Sequence, residues 1–486
     1  MTVPRLTVAV VGHTNTGKTS LLRTLLRDSS FGEVSDRPAT TRDVSGTALL
    51  VDGSPVMELY DTPGMEDSIG LLEHLESLRA SQREDPVEIV ERFLASPEAG
   101  ANGRFKQEAK ALRQLLRSDA GLYVVDARDR PLPKHRDELA VLTMCARPIV
   151  PVLNFTAGSS AETGLWRDQL SRLNLHAVAE FDTVVVGEHS EQRLFEKMQT
   201  LLDGFRETLD ALIADRRLQR DRLIASSAHL IADLLIDVAA VTLTVPADDE
   251  ERMHRSMERL RDLVRQREQQ CVRGLLQLHR FHPDDCEPDV LPLDDGEWGL
   301  DLFSPEAMRQ FGIRASSAAA AGAMAGLAVD VAVAGISLGA GTATGAALGA
   351  ALSAGHSHGR RILSRLRGET ELRCDQVTLH LLTARQIDLV RALLARGHAA
   401  QGRLQLDGAG RGEQAPGRVP FLLPRPLARA RARPDWSALP GAGDPAPRGG
   451  PTGSQRAREV AVEVLAELVR PRLSEPRTAP AHLARS

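Results

Sequence analysis

The sequence predicts an α/β protein, a mostly parallel sheet flanked by helices, followed by a mainly α-helical C-terminal domain and a disordered tail. Three observations carry that expectation. Across residues 5–186 short apolar runs alternate with helix-patterned polar stretches, the rhythm of successive βαβ units. A glycine-rich loop, GHTNTGKT, separates the first apolar run from the first helical stretch. Beyond residue 186 the strand pattern stops, and from about residue 402 Pro, Gly, Ala and Arg dominate.

In order along the chain, RLTVAVV reads as the first strand and SLLRTLLR as the helix after it. GTALLV and PVMELYD follow, joined by Asp52-Gly53, a hairpin signal that makes this pair antiparallel. Residues 66–104 are polar and helix-prone, wider than an ordinary connection, and read as an inserted helical element that carries a switch. AGLYVVD, RPIVPVLNF and HAVAEFDTVVV supply the later strands. Residues 191–241 and 249–280 show apolar residues three and four apart over long spans, the mark of amphipathic helices. The expected organisation is a nucleotide-type domain at 1–190, a long-helix domain at 191–310, a Gly/Ala-rich segment at 311–360, helix again at 361–401, and a largely disordered stretch at 402–486. One short helix, at 456–468, interrupts the last of these.

Composition narrows the function classes. The 486 residues suggest about three domains, and 42% hydrophobic content rules out wholesale disorder. Aromatic residues make up 3% and the net charge is −5, so stacking platforms and a global basic surface for nucleic acid are both missing. Four cysteines without a CxxC pair, and an N-terminus without a signal-peptide pattern, lead us to expect a reducing, cytoplasmic compartment.

The sharpest chemistry lies at Gly12-His13-Thr14-Asn15-Thr16-Gly17-Lys18-Thr19-Ser20, which satisfies GxxxxGK[ST] in the required strand–loop–helix setting. Glycines let successive backbone N–H groups face phosphate, the helix N-terminus adds partial positive charge, and Lys18 neutralises the β and γ oxygens. Thr19 is placed to hold Mg²⁺. Asp61-Thr62-Pro63-Gly64 closes the PVMELYD strand, where a carboxylate holds Mg²⁺ and Gly64 turns toward the γ-phosphate. Between them stands Pro38-Ala39-Thr40-Thr41-Arg42-Asp43.

These three motifs in this order and spacing resemble the translation-factor-related GTPases of the Era and TrmE type. The resemblance implies a Mg²⁺-dependent GTPase bound to GTP or GDP. A threonine of the TTR motif, Thr40 or Thr41, would close on Mg²⁺ and the γ-phosphate, with Lys18, Thr41 and Gly64 as the catalytic set. It also implies that Asn15, the asparagine of GxxNxGK, can help hold K⁺. The residue after DTPG is Met65, which cannot orient water as a glutamine does, so slow intrinsic hydrolysis is expected. No general base is assigned; Glu66 and Asp67 are near only in sequence.

The base-reading motif departs from the family's NKxD: Asn154 survives, but Phe155 replaces lysine and Ala157 replaces the aspartate. Asn154 and Phe155 remain nucleotide-binding candidates, and Glu162 or Glu180 could supply the lost acceptor. The choice between guanine and adenine stays open from these residues.

Residues 315–355 contain a single charged side chain, Asp330, and glycines at four-residue spacing, Gly322/Gly326, Gly335/Gly339 and Gly341/Gly345/Gly349. On helices this spacing permits close pairing, a glycine-zipper pattern. Arginines at 314, 360, 361, 365 and 367 leave both flanks positive. Two readings stand: a hairpin contacting the inner face of a bacterial membrane, or a soluble hairpin packed on the long helices. The whole arrangement is similar to bacterial proteins pairing such a GTPase with a C-terminal domain of unknown function. An unidentified protein partner or a second copy of the chain is the expected readout. Cys271, His279, His282 and Cys286 match no standard zinc spacing.

Overall fold

The structure, a computed structural model, describes residues 4–28, 43–158, 160–187, 189–246, 249–281, 293–294, 297–311, 329–332, 369–396, 423–440 and 453–474. The chain divides into two compact units, residues 1–221 with 394–402, and residues 222–393 with 403–486.

The first unit is built on a six-stranded sheet. In chain order its elements are β1 (Leu6–Val11), α1 (Lys18–Leu26), β2 (Ser45–Val51), β3 (Ser54–Asp61), α2 (Ser68–Ser77), α3 (Pro86–Leu94), α4 (Lys106–Arg117), β4 (Ala120–Asp126), α5 (Pro133–Thr143), β5 (Ile149–Asn154), α6 (Thr163–Ser171), β6 (Ala179–Glu180) and α7 (Ser190–Gln199). Sheet order is β2-β3-β1-β4-β5-β6, with β2 antiparallel to β3 and every other pair parallel. Asp52 and Gly53 take positive φ at the hairpin, as the sequence signal requires.

Period-two alternation sorts the strand residues onto two buried faces. Ala9, Val11, Tyr123, Val125, Ile149 and Leu153 face α2 to α6. Leu6, Val8, Val10, Leu122, Val124, Val150 and Val152 face α1, α7 and the start of the next helix. Residues 66–104 hold α2 and α3: Asp85 caps α3 by accepting the Val87 N–H, Pro86 opens it, and Phe93 packs edge-on against Phe105.

The long helix α8 (Arg206–Ala240) contributes to both units, and the unit boundary falls inside it rather than at residue 190. Leu194, Phe195 and Met198 of α7, with Leu209, Leu212 and Ile213 of α8, complete the apolar face under the sheet. That burial holds residues 191–221 in the first unit.

The second unit departs further from the sequence expectation. It holds β7 (Thr242–Pro246), α9 (Glu250–Leu278), the short β8 (Leu293–Asp294) and β9 (Glu297–Trp298), α10 (Pro305–Gln310), β10 (Val329–Ala332), β11 (Glu369–Cys374), α11 (Gln376–Ala395), α12 (Arg425–Arg431) and α13 (Gly453–Ser474). β10, β11 and β7 form an antiparallel sheet within a region expected to be helical. In β11 the buried Thr370, Leu372 and Cys374 alternate with charged residues, a five-residue pattern too short to read against its helical neighbours. The backbone of Asp330, the lone charged residue of the Gly/Ala-rich segment, lies in register with that of Arg373 in this sheet, so residues 329–332 are strand and not helix. The rest of 315–355 lies outside the described residues, and with it the glycine-zipper and membrane expectations. Among the described residues one helix, residues 203–240, is long and apolar enough to cross a bilayer, and most of its apolar window is buried in the protein.

Within the stretch expected to be a disordered tail, two segments are folded. α12 and the turn after it bury Leu427, Ala430 and Trp436, and α13, longer than the expected helix at 456–468, buries Val462, Leu465, Val469 and Leu473.

Candidate functional site

Residues 12–20 run from the end of β1 into α1, and the loop's curvature comes from three positive-φ positions, Gly12 (139°), Asn15 (61°) and Gly17 (90°). Glycine is demanded by packing as well. A Cβ on Gly12 would lie 2.5 Å from the Val124 carbonyl oxygen, and one on Gly17 would lie 2.2 Å from Asn154 Nδ2. Inside the curl, Lys18 Nζ donates to the carbonyls of Gly12 at 3.1 Å and His13 at 2.6 Å. Burial pulls the Lys18 ammonium below the usual lysine range, and the carboxylates of Asp61 and Glu138 pull it partly back. Thr16 Oγ1 donates to the His13 carbonyl, and Ser20 is buried at the first turn of α1.

Thr19 and Asp61, 42 residues apart, meet because β1 and β3 are parallel neighbours: Thr19 Oγ1 donates to Asp61 Oδ2 at 2.5 Å, both buried. A hydroxyl and a carboxylate side by side form the hard oxygen pair that Mg²⁺ prefers. Thr62 donates to the Val10 carbonyl, fixing the turn after β3. Gly64 comes so close to the loop that an added Cβ would be 2.5 Å from Thr14 Cγ2 and 2.7 Å from Thr14 N. Met65 donates its N–H to the Gly12 carbonyl and is fully buried, with its side chain in the apolar face. Thr40 and Thr41 lie outside the described residues.

Several contacts around the loop gave no sequence signal. The His13 side chain points away from the curl to Glu138 of α5, Nδ1 to Oε1 2.7 Å, and the same carboxylate accepts from Tyr123 Oη at 2.7 Å. Lys134 Nζ approaches His13 Nε2 at 2.9 Å. His13 is thus a loop-backbone contributor whose ring anchors the loop. Glu108, also buried, accepts the N–H groups of Glu66 and Asp67. Asp67 caps α2 and pairs with Arg104, so its carboxylate is already engaged.

At the other end of the site Asn154 is fully buried, donating from Nδ2 to the Thr16 carbonyl at 3.0 Å and accepting at Oδ1 from Phe155 N and Thr183 N. It ties the phosphate loop to the loops after β5 and β6. Phe155 adopts positive φ (57°) with the Arg128 guanidinium 4.1 Å from its ring centre. Glu162 and Glu180, the expected substitutes for the lost base acceptor, pair instead with Arg130 and Arg167. The carboxylate that does reach Ala157 is Asp182.

Away from this site, Cys271 is buried with its thiol pushed up to about 12 by burial, and His279 Nε2 faces Ser227 Oγ at 3.0 Å. No metal-binding group of three ligands occurs among the described residues, and His282 and Cys286 lie outside them.

A parallel sheet with a glycine-rich loop at the end of β1, a buried lysine within the curl, and the Thr19–Asp61 pair are the arrangement of a P-loop GTPase domain. Residues 7–155 match the family model described as 50S ribosome-binding GTPase. Residues 167–451 match the Domain of unknown function (DUF3482), and because this spans more than half of the chain, the protein belongs to that family. Among curated proteins the chain is similar to the tRNA modification GTPase MnmE of Picosynechococcus sp., 46% identical over 83 residues, 16% of this chain and 18% of the relative. It is similar also to MnmE of Bacteroides thetaiotaomicron, 26% identical over 207 residues, 42% of this chain and 43% of the relative. The chain spans less than half the length of either. Among solved structures it is similar to Era in complex with MgGDPNP and a segment of 16S ribosomal RNA, at 17% identity and a TM-score of 0.30, covering 42% of this chain and 57% of that one.

Proposed function

We propose that this protein binds GTP and hydrolyses it slowly with Mg²⁺, and that its second unit passes the nucleotide state to a partner or a membrane process. The observation that carries the reading is the Thr19–Asp61 pair beside the buried Lys18, an assembly that leaves oxygen donors, a cation and curled backbone in one place.

In this reading the backbone N–H groups of residues 12–19 cradle the phosphates, and Lys18 offsets charge on the β and γ oxygens. Thr19 and Asp61 hold Mg²⁺, which neutralises charge developing on the transferred phosphoryl group. Thr40 or Thr41 and Gly64 sense the γ-phosphate, and the close approach of Gly64 to Thr14 supports that role. Asn15, exposed at the turn of the loop, serves as a K⁺ ligand. Orientation of the attacking water falls to groups other than Met65, whose burial supports a slow intrinsic rate.

That burial also favours a second reading, a nucleotide-loaded scaffold with little turnover. A ribosome- or RNA-linked role is a third reading, supported by the similarity to 50S ribosome-binding GTPases and tRNA modification GTPases. The test is GTP and ATP titration of the full chain with and without anionic liposomes, followed by single-turnover hydrolysis in K⁺ and in Na⁺. The expected result is Mg²⁺-dependent GTP binding, hydrolysis faster in K⁺, and loss of both in Lys18→Ala. Hydrolysis no faster than that variant leaves the scaffold reading, and equal rates in K⁺ and Na⁺ remove the ion.

A further inference from the structure

In the family motif an aspartate two residues beyond the lysine position reads the base, and this chain has Ala157 there. The structure brings a carboxylate from a different loop onto the Ala157 backbone. Asp182 follows β6 and the buried Phe181, and its Oδ2 accepts the Ala157 N–H at 2.9 Å. Its Oδ1 accepts the N–H groups of Val184 and Val185, each at 2.9 Å. Asn154, one strand over, fixes Thr183 beside it.

A second observation places Asp182 among groups suited to a flat heterocycle. Arg128, held to both oxygens of Asp126, stacks on the Phe155 ring. Hydrogen bonding to Asp126 raises the Arg128 guanidinium above its ordinary range, and the charges of Asp126, Asp129 and Asp182 add to the effect. Asp182 is tied to the loop that carries Phe155, binding Ala157 two residues on, while Asn154 accepts from both Phe155 and Thr183; the group lies at the carboxyl ends of β4, β5 and β6, where open α/β sheets take their ligands.

We propose that Asp182 is the base-reading residue of this protein, selecting guanine over adenine in place of the carboxylate missing at 157. The assignment rests on the GTP reading above. An ionised carboxylate only accepts hydrogen bonds. Guanine presents N1–H and a 2-amino group as adjacent donors, whereas adenine presents a bare N1 lone pair and no 2-amino group, so the carboxylate attracts one and repels the other. Two carboxylate oxygens offer about four acceptor sites, and three are taken by Ala157, Val184 and Val185. One remains for the base. A single charge-assisted hydrogen bond gives about 10- to 100-fold discrimination, less than a motif that accepts two.

The experiment measures dissociation constants of Mg²⁺ complexes of GTP, ATP and XTP for the full chain, for Asp182→Asn and for Lys18→Ala. The wild-type chain is expected to prefer GTP over both ATP and XTP by about 10- to 100-fold, because xanthine turns a 2-oxo group toward the carboxylate. In Asp182→Asn, whose amide can donate to that oxo group, the GTP:XTP ratio should fall toward one or invert. If Asp182 only braces its loop, Asp182→Asn weakens all three nucleotides by a common factor, and that result overturns the assignment. The wild-type ratios stand as a test even if the variant does not fold: equal binding of GTP, ATP and XTP, abolished by Lys18→Ala, refutes the base-reading role while leaving the phosphate site intact. Failure of the wild-type chain to bind any nucleotide refutes the GTP reading itself.

Discussion

In the first unit the buried Lys18 opens α1 and the buried Asp61 ends β3, beside a loop whose Gly12 and His13 carbonyls accept from the lysine. In the second unit Asp233 and Asp237 of α8 face Arg267 of α9 and Arg458 of α13, and these charges satisfy one another. Arg267 Nε meets Asp237 Oδ2 at 2.7 Å and Arg267 Nη2 meets Asp233 Oδ2 at 2.6 Å, while Arg458 Nη2 reaches both aspartates. A nearby pair, Glu268 and Arg385, is more deeply buried, with Gln386 on the same glutamate oxygen. Charge buried at an opening of the backbone marks a ligand site, whereas charge buried against charge is a fastening between helices. The two arrangements should respond differently to mutation.

The largest effect is expected from the fastening. Asp237→Ala removes a buried carboxylate that also accepts the Ala438 N–H, and leaves two arginines with Asp233 alone. Breaking a buried pair costs about 3–5 kcal/mol. Chemical denaturation followed by probes in each unit should show the second unit's transition displaced to lower denaturant, with GTP affinity unchanged. A loss of nucleotide affinity as large as the loss of stability would erase the distinction between the two kinds of buried charge.

Legibility in the sequence follows the same division. The phosphate loop could be read because glycine positions and Lys18 are fixed by backbone geometry, and the strand–loop–helix context is local. Asn154 was legible as a survivor of a motif, and its tie to Thr16 explains why it survives when Phe155 and Ala157 have diverged. Glu138, Glu108 and Asp182 were not legible: each reaches the site through a partner 25 to 125 positions away, and no local pattern announces such a partner. In the second unit the small antiparallel sheet escaped because Thr242–Pro246 and Glu369–Cys374 are short runs abutting long helices, paired across more than a hundred residues. The folded segments after residue 422 were hidden by their arginines. Arg458, which reads as a tail charge, is instead the partner of two acids on α8.

The next effect tests the second buried pair by pH. Burial pushes the Glu268 carboxyl from its ordinary 4.5 up to about 7, against the opposing pull of Arg385 and the hydrogen bond from Gln386. Between those two values the folded chain keeps a proton that the unfolded chain has lost, so the contribution of Glu268 to stability is greatest below about pH 4.5, declines as pH rises toward 7, then levels off. The full span amounts to at most about 3 kcal/mol. Glu268→Gln, which cannot ionise, should flatten this part of the second unit's stability profile between pH 5 and 7. An unchanged slope in the variant would show that Glu268 stays ionised in the fold, held by Arg385.

The smallest of the three effects falls on the first unit and separates ligand chemistry from fastening most directly. Asn154→Ala removes the donor to the Thr16 carbonyl and the acceptor for Phe155 N and Thr183 N, all at a fully buried position. Orphaned buried backbone groups cost about 1–3 kcal/mol, but the strands on either side remain paired, so the fold absorbs much of the loss by relaxing the loops. What the loops lose is their fixed spacing, because Gly17 packs directly on the Asn154 amide. GTP affinity should drop about 10- to 30-fold, in line with one or two lost hydrogen bonds, while the unit's unfolding midpoint moves little. Asn154→Asp sharpens the comparison. It keeps an acceptor for Phe155 and Thr183 but turns a second carboxylate oxygen toward the Thr16 carbonyl, so it should weaken GTP binding at least as much as alanine while preserving more of the stability. If both variants lose stability and affinity in proportion, Asn154 is a fastening of the same kind as Asp237, and the division between the two units does not hold.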